Sequence, residues 1–279
     1  LANHFNNFSV KVGCVDHDIQ DATQAASLKE SLFLKPTSIH EVITTFSSLI
    51  NSHSRYVDEL DIRPNKYAVD LLAPTIMHIF NISLSTGVFP RNMQVARIIV
   101  IHKEGDKNNI GNYRPVSILP VLSKGLEKIV NFRIDNFSQK HSLLTDCEHR
   151  FKKKRSMETA LSIPKDLILE NIEKKLLTLG LYLDFSKAFD RVIQNLLMIM
   201  LEKYGFRGLT LELIRSYLES RHQFVQINEK RSQIKPLTAG VPQGSVLGPI
   251  LFLYYNNDIV QVICVNLSCI QMTALFLHR

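Results

Sequence analysis

Cysteine is scarce in this sequence: four in 279 residues, Cys14, Cys147, Cys264 and Cys269. No two form a CxxC pair, and no histidine spacing completes a zinc site. So few in so long a chain exclude a disulfide scaffold and point to a reduced, intracellular setting. Internal repeats and low-complexity tracts are missing too. With 45% hydrophobic and 21% charged residues, the composition excludes a disordered tail and collagen-like or coiled-coil arrays. An uninterrupted membrane span is also lacking. The stretch "IVQVICVNLSCIQMTALFL", residues 259–277, has no charged side chain. Gln261, Asn266, Ser268, Gln271 and Thr273 break it up, so it reads as buried strand, with no stable membrane association expected. No signal peptide opens the chain. It begins at Leu1 rather than Met, as a fragment would.

What the chain does have is basic charge. Lys plus Arg exceed Asp plus Glu by 33 to 26, a net charge of +7. Such an excess is compatible with nucleic acid without requiring it. Arg150, Lys152, Lys153, Lys154 and Arg155 crowd around Phe151, either as a solvated turn or as a contact surface for phosphates. At this length a folded chain buries about three quarters of the surface that its unfolded form exposes, enough for one large domain or two smaller ones.

The periodicities give a mixed α+β chain with antiparallel elements rather than a regular βαβ array. Ser38 is placed to cap a helix in which Val42, Ile43, Phe46, Leu49 and Ile50 share a face. A second helix is expected from Pro74 to Thr86, stopped by Gly87. "ARIIVIHKEGDK" reads as a strand and polar turn. "SKGLEKIVNFRIDNFSQKH" reads as an amphipathic helix with Leu126, Ile129, Val130, Arg133, Ile134 and Phe137 inside. "METALSIPKDLILENIEKK" is helical, with Pro164 as a kink or break. "LLTLGLYLDF" reads as a strand, then a helix from about Asp190 to Tyr204 closed by Gly205. "TLELIRSYLESR" is a helix and "QFVQIN" a strand. "TAGVPQGSVLGPILFLYYNND" is a glycine-rich loop entering an apolar helix, with Ser245 placed to cap it.

Asp184 ends the apolar run "GLYLDF". A carboxylate at a buried strand's mouth, in a chain that also carries the "GVPQGS" loop, suggests metal-dependent phosphoryl transfer. There two divalent ions about 3.5–4 Å apart clamp the attacking and leaving oxygens. Mg²⁺ favours carboxylates, phosphate oxygens and water.

At these residues the chain resembles the reverse transcriptase domain of non-LTR, LINE-type retrotransposons, in particular the jockey-like mobile elements. The resemblance covers nearly the whole chain. It is carried in order by "LANHFNNF", "NISLSTGVFP", "IHKEGDKNNIGNYRPVSILPVLSKGLEKIV", "YLDFSKAFDRV", "YLESRHQFVQIN" and "GVPQGSVLGPILFLYYNND". It implies RNA-directed DNA polymerase activity on an RNA template and a DNA primer, with deoxynucleoside triphosphates and Mg²⁺. It also implies a right-hand polymerase fold, arranged as a lead-in over residues 1–90, fingers over 91–175 and palm over 176–279. Fingers and palm are expected without a thumb and without an endonuclease domain.

The resemblance also assigns roles. Asp184 matches the first metal-binding carboxylate of motif A, and Phe185 adds its backbone carbonyl. Phe189 matches the aromatic gate that crowds a ribose 2′-hydroxyl. Lys103 and Arg114 match the cations that hold the triphosphate, where an arginine fork suits paired phosphate oxygens. Gln243 and Gly244 match motif B at the nucleotide and template. Asp190 is expected to cap the helix that follows it.

Motif C is where the resemblance fails. The family pattern is Tyr-Ala-Asp-Asp followed by Thr-Ala-Leu-Phe. "TALF" is here, at residues 273–276, but Cys269, Ile270, Gln271 and Met272 stand before it. Either they occupy the four positions, or the tetrapeptide is deleted and Met272 fills the join. No carboxylate is present in either case. Asp258 matches the end of the motif B helix and does not replace one. Met93 stands where the family has Trp, and Glu148, His149, Arg150 and Phe151 depart from its Gln-aromatic-Gly-Phe pattern. Lys154 and Met157 replace a family glycine and threonine. The expectation is a polymerase domain by descent that is inactive as written, the alternative being a non-catalytic nucleic-acid-binding remnant. The sequence reads as a decayed or truncated copy, or as a gene model missing an exon.

Overall fold

The computed structural model describes residues 1–12, 27–50, 66–145, 157–183, 187–258, 266–270 and 272–278. Helix α1 spans Ala2–Val12 and α2 spans Ile39–Ser47. As expected, Ser38 Oγ accepts from the Glu41 amide at 3.2 Å and starts α2. The helix ends before Ile50, which is exposed while Leu49 is buried. The hydrophobic period therefore overran the helix by one turn.

Helix α3 covers Val69–Thr86 and stops at Gly87, whose φ of +69° is the left-handed turn that glycine adopts without strain. Its start differs from expectation. Pro74 lies inside the helix rather than opening it. Proline lacks the N–H that would bond the Asp70 carbonyl, but Val69 and Ala73 before it and Ile76 after it are buried. Burying a side chain such as Val69 stabilises by about 1.5–3 kcal/mol, enough to extend the helix past that gap.

Strands β1 (Val95–His102) and β2 (Tyr113–Ile118) pair antiparallel, with Ile101 opposite Arg114. β4 (His222–Ile227) joins the other edge of β1 in parallel and carries the short strands β5 (Lys230–Arg231) and β6 (Lys235–Pro236). This sheet thus draws strands from both sides of residue 176. α1 packs on β4, and Phe5, Ala96, Ile98, Leu119 and Val225 form a small core there. Asn6 is buried, donates to Ser232 Oγ and the Gln233 carbonyl, and accepts from Gln223.

The larger core lies among α2, α3, α4 (Val121–Lys140), α6 (Gln194–Lys203), α7 (Leu209–Leu218) and α8 (Leu247–Asn256). Gly125 lets α4 approach α2 and α3; a Cβ there would sit 2.7 Å from Phe46 Cε2. Helix α5 (Met157–Glu173) runs through Pro164 without a break, so of the expected kink or break the second is not made. Before α6 the chain makes a 3₁₀ turn over Ala188–Arg191, and the residue ahead of α6 is Ile193. Asp190 is therefore not a helix cap. Gly205 follows α6 at φ +91°, where a Cβ would strike the Glu30 carbonyl oxygen at 2.5 Å.

A second sheet has the order β3-β8-β7, from Thr178–Leu183, Met272–His278 and Asn266–Ile270. Within the apolar tail, Asn266–Ile270 and Met272–His278 thus pair as antiparallel strands. Among the described residues, no helix is long and apolar enough to cross a membrane.

Candidate active site

Three segments meet where the two halves of the fold join. The first is β2. Its Ser117 amide donates to the Gln243 carbonyl at 2.8 Å. The Gln243 side-chain amide is oriented by its surroundings. Its oxygen accepts from Arg114 Nε at 3.1 Å and Nη2 at 2.8 Å, and its nitrogen donates to the Pro115 carbonyl at 2.9 Å. Arg114 itself remains exposed on the strand.

The second segment is the Pro242–Ser245 loop. Gly244 sits at φ +105°, and a Cβ on it would lie 2.7 Å from the Ser117 carbonyl oxygen. The close approach that demands glycine is thus that of the β2 backbone, in addition to any made by a nucleotide or template. Ser245 Oγ accepts from the Gly248 amide at 2.9 Å and donates to the Pro242 carbonyl at 2.7 Å. The expected cap is present.

The third is the turn at residues 187–191. The Val241 amide donates to the Phe189 carbonyl at 2.9 Å, and the Gly240 amide to the Val192 carbonyl at 2.8 Å. Gly240 has φ +81°, and a Cβ there would stand 2.9 Å from the Asp190 Cα. Phe189 is 6% exposed, its ring stacked on Phe252 of α8 at 4.7 Å. In this conformation the residue matched to the gate is core packing.

Asp190 lines the cleft between these segments, with Ser117, Gln223, Gly240 and Gln243. Burial pushes its carboxyl up to about 6, against the opposing pull of Lys187 and Arg114. The Lys187 amine is lowered, first by burial, and lies 3.9 Å over the Phe8 ring of α1. Lys103 is exposed at the turn after β1, where its amide donates to the Asn112 carbonyl at 2.9 Å.

One carboxylate behind this site went unread in the sequence. Glu127 of α4 is fully buried. It accepts from Ser123 Oγ, Tyr217 Oη and the amides of Val246 and Leu247, at 2.8, 3.1, 2.8 and 3.1 Å. The last two are the free N–H groups that open α8, a position that favours an acidic group. The sequence does hold a signal: Glu127 falls between the buried Leu126 and Ile129 on the inner face of α4.

Asp184 and Phe185 lie outside the described residues, as do Gln271 and the cluster Arg150, Lys152, Lys153, Lys154 and Arg155. The strand leading to Asp184 is described. Leu183, at its end, pairs with Thr273, and Ile270 pairs with Met272 across the β7–β8 turn. Thr273, which follows Met272, therefore stands opposite the last residue of β3. That register is the same in both readings of the missing motif C, with residues 269–272 in its place or with Met272 at a deletion join. Gln271 and Met272 offer a neutral amide and a soft thioether, poor donors for a hard divalent cation. Among the described residues, no three His, Cys, Asp or Glu side chains gather as a metal site.

Residues 101–272 match the family model described as reverse transcriptase (RNA-dependent DNA polymerase). The chain is 32% identical over 229 residues to the RNA-directed DNA polymerase from mobile element jockey of Drosophila melanogaster, covering 82% of this chain and 25% of that one. It is 33% identical over 224 residues to its Drosophila funebris counterpart, covering 80% and 24%. It is 30% identical over 236 residues to the probable RNA-directed DNA polymerase from transposon BS of Drosophila melanogaster, covering 83% and 26%. The chain thus spans about a quarter of the length of these relatives. Among solved structures it is similar to an apo telomerase from Candida tropicalis truncated from its C-terminal domain, at 15% identity and a TM-score of 0.45, covering 68% of this chain and 44% of that one. It is also similar to a partial Cas6–RT–Cas1–Cas2 complex, at 14% identity and a TM-score of 0.45, covering 85% and 37%.

Proposed function

Because this chain belongs to the reverse transcriptase family, as a domain of the jockey-like non-LTR type with its right-hand fold, we propose that it holds an RNA template, a DNA primer and an incoming deoxynucleoside triphosphate, and that as written it does not join them. The observation that carries the reading is the meeting of β2, the 187–191 turn and the Pro242–Ser245 loop at one cleft.

In this reading Lys103 and Arg114 receive the triphosphate. Arg114 is pre-aimed by Gln243, which removes rotamer freedom that the guanidinium would otherwise lose on binding. Gly244 keeps the loop flat against β2, so that a nucleotide and its template base meet backbone rather than a side chain. Phe189 acts as the gate once its ring leaves Phe252. Reverse transcriptases generally use a divalent metal; we take it to be Mg²⁺, held by Asp184 and the Phe185 carbonyl. When bound, that ion would supply charge neutralisation at the primer hydroxyl and the triphosphate. With Gln271 and Met272 at motif C, the second half of its cage is missing, and binding without transfer is what remains.

Template–primer binding tests this. Affinity for an RNA–DNA hybrid is expected to fall steeply with salt, as phosphate contacts require. Replacing Lys152, Lys153 and Lys154 together by Ala should reduce the log–log slope by roughly 2–3. Absence of binding, or a slope that those substitutions leave unchanged, contradicts the proposal.

A further inference from the structure

The cleft where β2, the 187–191 turn and the Pro242–Ser245 loop meet is too small for its proposed occupant. Its volume is about 30 Å³, room for about two waters at roughly 10–15 Å³ each. Water reaches it, but a phosphate group does not fit. The adjoining cavity, lined by Lys187 and Asp190, is about 10 Å³. A nucleotide therefore enters only if a wall moves.

Three of the walls are tied to one another by main chain. The Ser117 amide donates to the Gln243 carbonyl, the Val241 amide to that of Phe189 and the Gly240 amide to that of Val192. Parting them gives up backbone hydrogen bonds. A further wall is α1. Ser9 and Val10 line the larger cavity, and Phe5, Phe8 and Ser9 the smaller.

Helix α1 docks through its side chains. Asn6 is gripped by Gln223, Ser232 and the Gln233 carbonyl, and Asn3 Oδ1 accepts from the Gln233 amide at 2.8 Å. Phe5 meets the Tyr113 ring edge-on at 5.0 Å. These contacts hold the first half of the helix. The half that faces the cleft meets the 187–191 turn through Phe8, which is 36% exposed and has the Lys187 amine 3.9 Å over its ring. Exposed ammonium–ring contacts are weak. Lys187 is also held at φ +54°, a left-handed conformation disfavoured for a residue with a side chain. Such backbone strain clusters at segments that switch.

We infer that α1 latches the nucleotide cleft shut: Phe8 on Lys187 is the latch, and the C-terminal half of α1 swings out about the Asn3 and Asn6 grip to admit a deoxynucleoside triphosphate. The inference rests on the proposed reading of the cleft. Opening uncovers the Lys187 amine, and a phosphate oxygen takes the place of the ring. Docking of α1 and binding of the nucleotide thus exclude one another, and weakening the first strengthens the second.

The test pairs amide hydrogen exchange with equilibrium dialysis of the full chain against radiolabelled dATP, at pH 8 and fixed ionic strength. In the unsubstituted chain dATP should speed exchange over residues 8–12 and leave α4 unchanged. Phe8→Ala should speed exchange over 8–12 without nucleotide and tighten dATP binding by roughly two- to tenfold. Phe8→Tyr keeps a ring over Lys187 and should match the unsubstituted chain. Arg114→Ala should weaken binding, which marks the bound dATP as lying in this cleft. If dATP binds with that dependence on Arg114, then exchange over 8–12 that dATP leaves unchanged or slows, or affinity no tighter in Phe8→Ala, overturns the inference and leaves the proposed function standing. Exchange in the unsubstituted chain decides the matter if Phe8→Ala fails to fold. No dATP binding in any of the chains, or binding indifferent to Arg114→Ala, contradicts the proposed function and takes the inference with it.

Discussion

Gln243 accepts two hydrogen bonds from the Arg114 guanidinium, at 3.1 and 2.8 Å, and so ties the motif B loop to strand β2 across 129 positions of sequence. The same residue's backbone carbonyl receives the Ser117 amide. The loop is therefore anchored to the strand at two levels, side chain and main chain.

A double-mutant cycle measures that tie. Arg114→Ala and Gln243→Ala should each destabilise the chain, and the double variant should lose less than their sum. The coupling should be about 1 kcal/mol, the low end for a charge-assisted bond because Arg114 is exposed. Additive losses in urea unfolding would mean that the bond is not made in solution.

Glu127→Ala strands two backbone amides and two hydroxyls away from water, at the start of α8 and on α4 and α7. A loss of roughly 3–5 kcal/mol in urea unfolding is expected. Glu127→Gln retains an oxygen for the Val246 and Leu247 amides and should lose roughly 1–2 kcal/mol. Losses of similar size in the two variants would show that the geometry of the acceptor is not what matters.

Asp190 makes stability depend on pH. Its folded pKa of about 6 lies above the ordinary 3.8. Between those values the folded chain holds more protons than the unfolded one, so stability falls as pH rises from about 4 to 6 and levels off above. The full shift would correspond to about 3 kcal/mol; the cleft is open to solvent, and about 2 is expected. Asp190→Asn should remove that slope and be the more stable form at pH 7 to 8. A slope of the same size in both chains would assign it to another group.

The parts of this site that could be read in the sequence are those whose signal is local. Ser38 and Ser245 cap because their acceptors reach amides three residues on. Gly87 stops α3 because its own φ requires it. The β3 strand is bounded within its own apolar run. Glu127 and Gly240 were not legible, because their partners are distant. Glu127 meets amides 119 and 120 positions away, and Gly240 is required by the approach of Asp190. Asp190 misled for the opposite reason. An aspartate ahead of an apolar helix suits a cap, but the 3₁₀ turn carries it into the cleft and leaves Ile193 ahead of the helix. Pro164 was expected to kink or break its helix, and α5 continues through it without a break.

The missing carboxylates of motif C are the centre of the account. In phosphoryl transfer, positioning and charge stabilisation act together, and in the proposed reading Arg114 with the Pro242–Ser245 loop would supply only the first. The direct measurement is primer extension on a poly-A RNA template with Mg²⁺ or Mn²⁺. It compares the chain as given, the chain with Gln271→Asp and Met272→Asp, and that double variant with Asp184→Ala added. The chain as given should show no extension above background, the double variant short and poorly processive products, and the triple variant none. Clear extension by the chain as given, abolished by Asp184→Ala, would contradict the account.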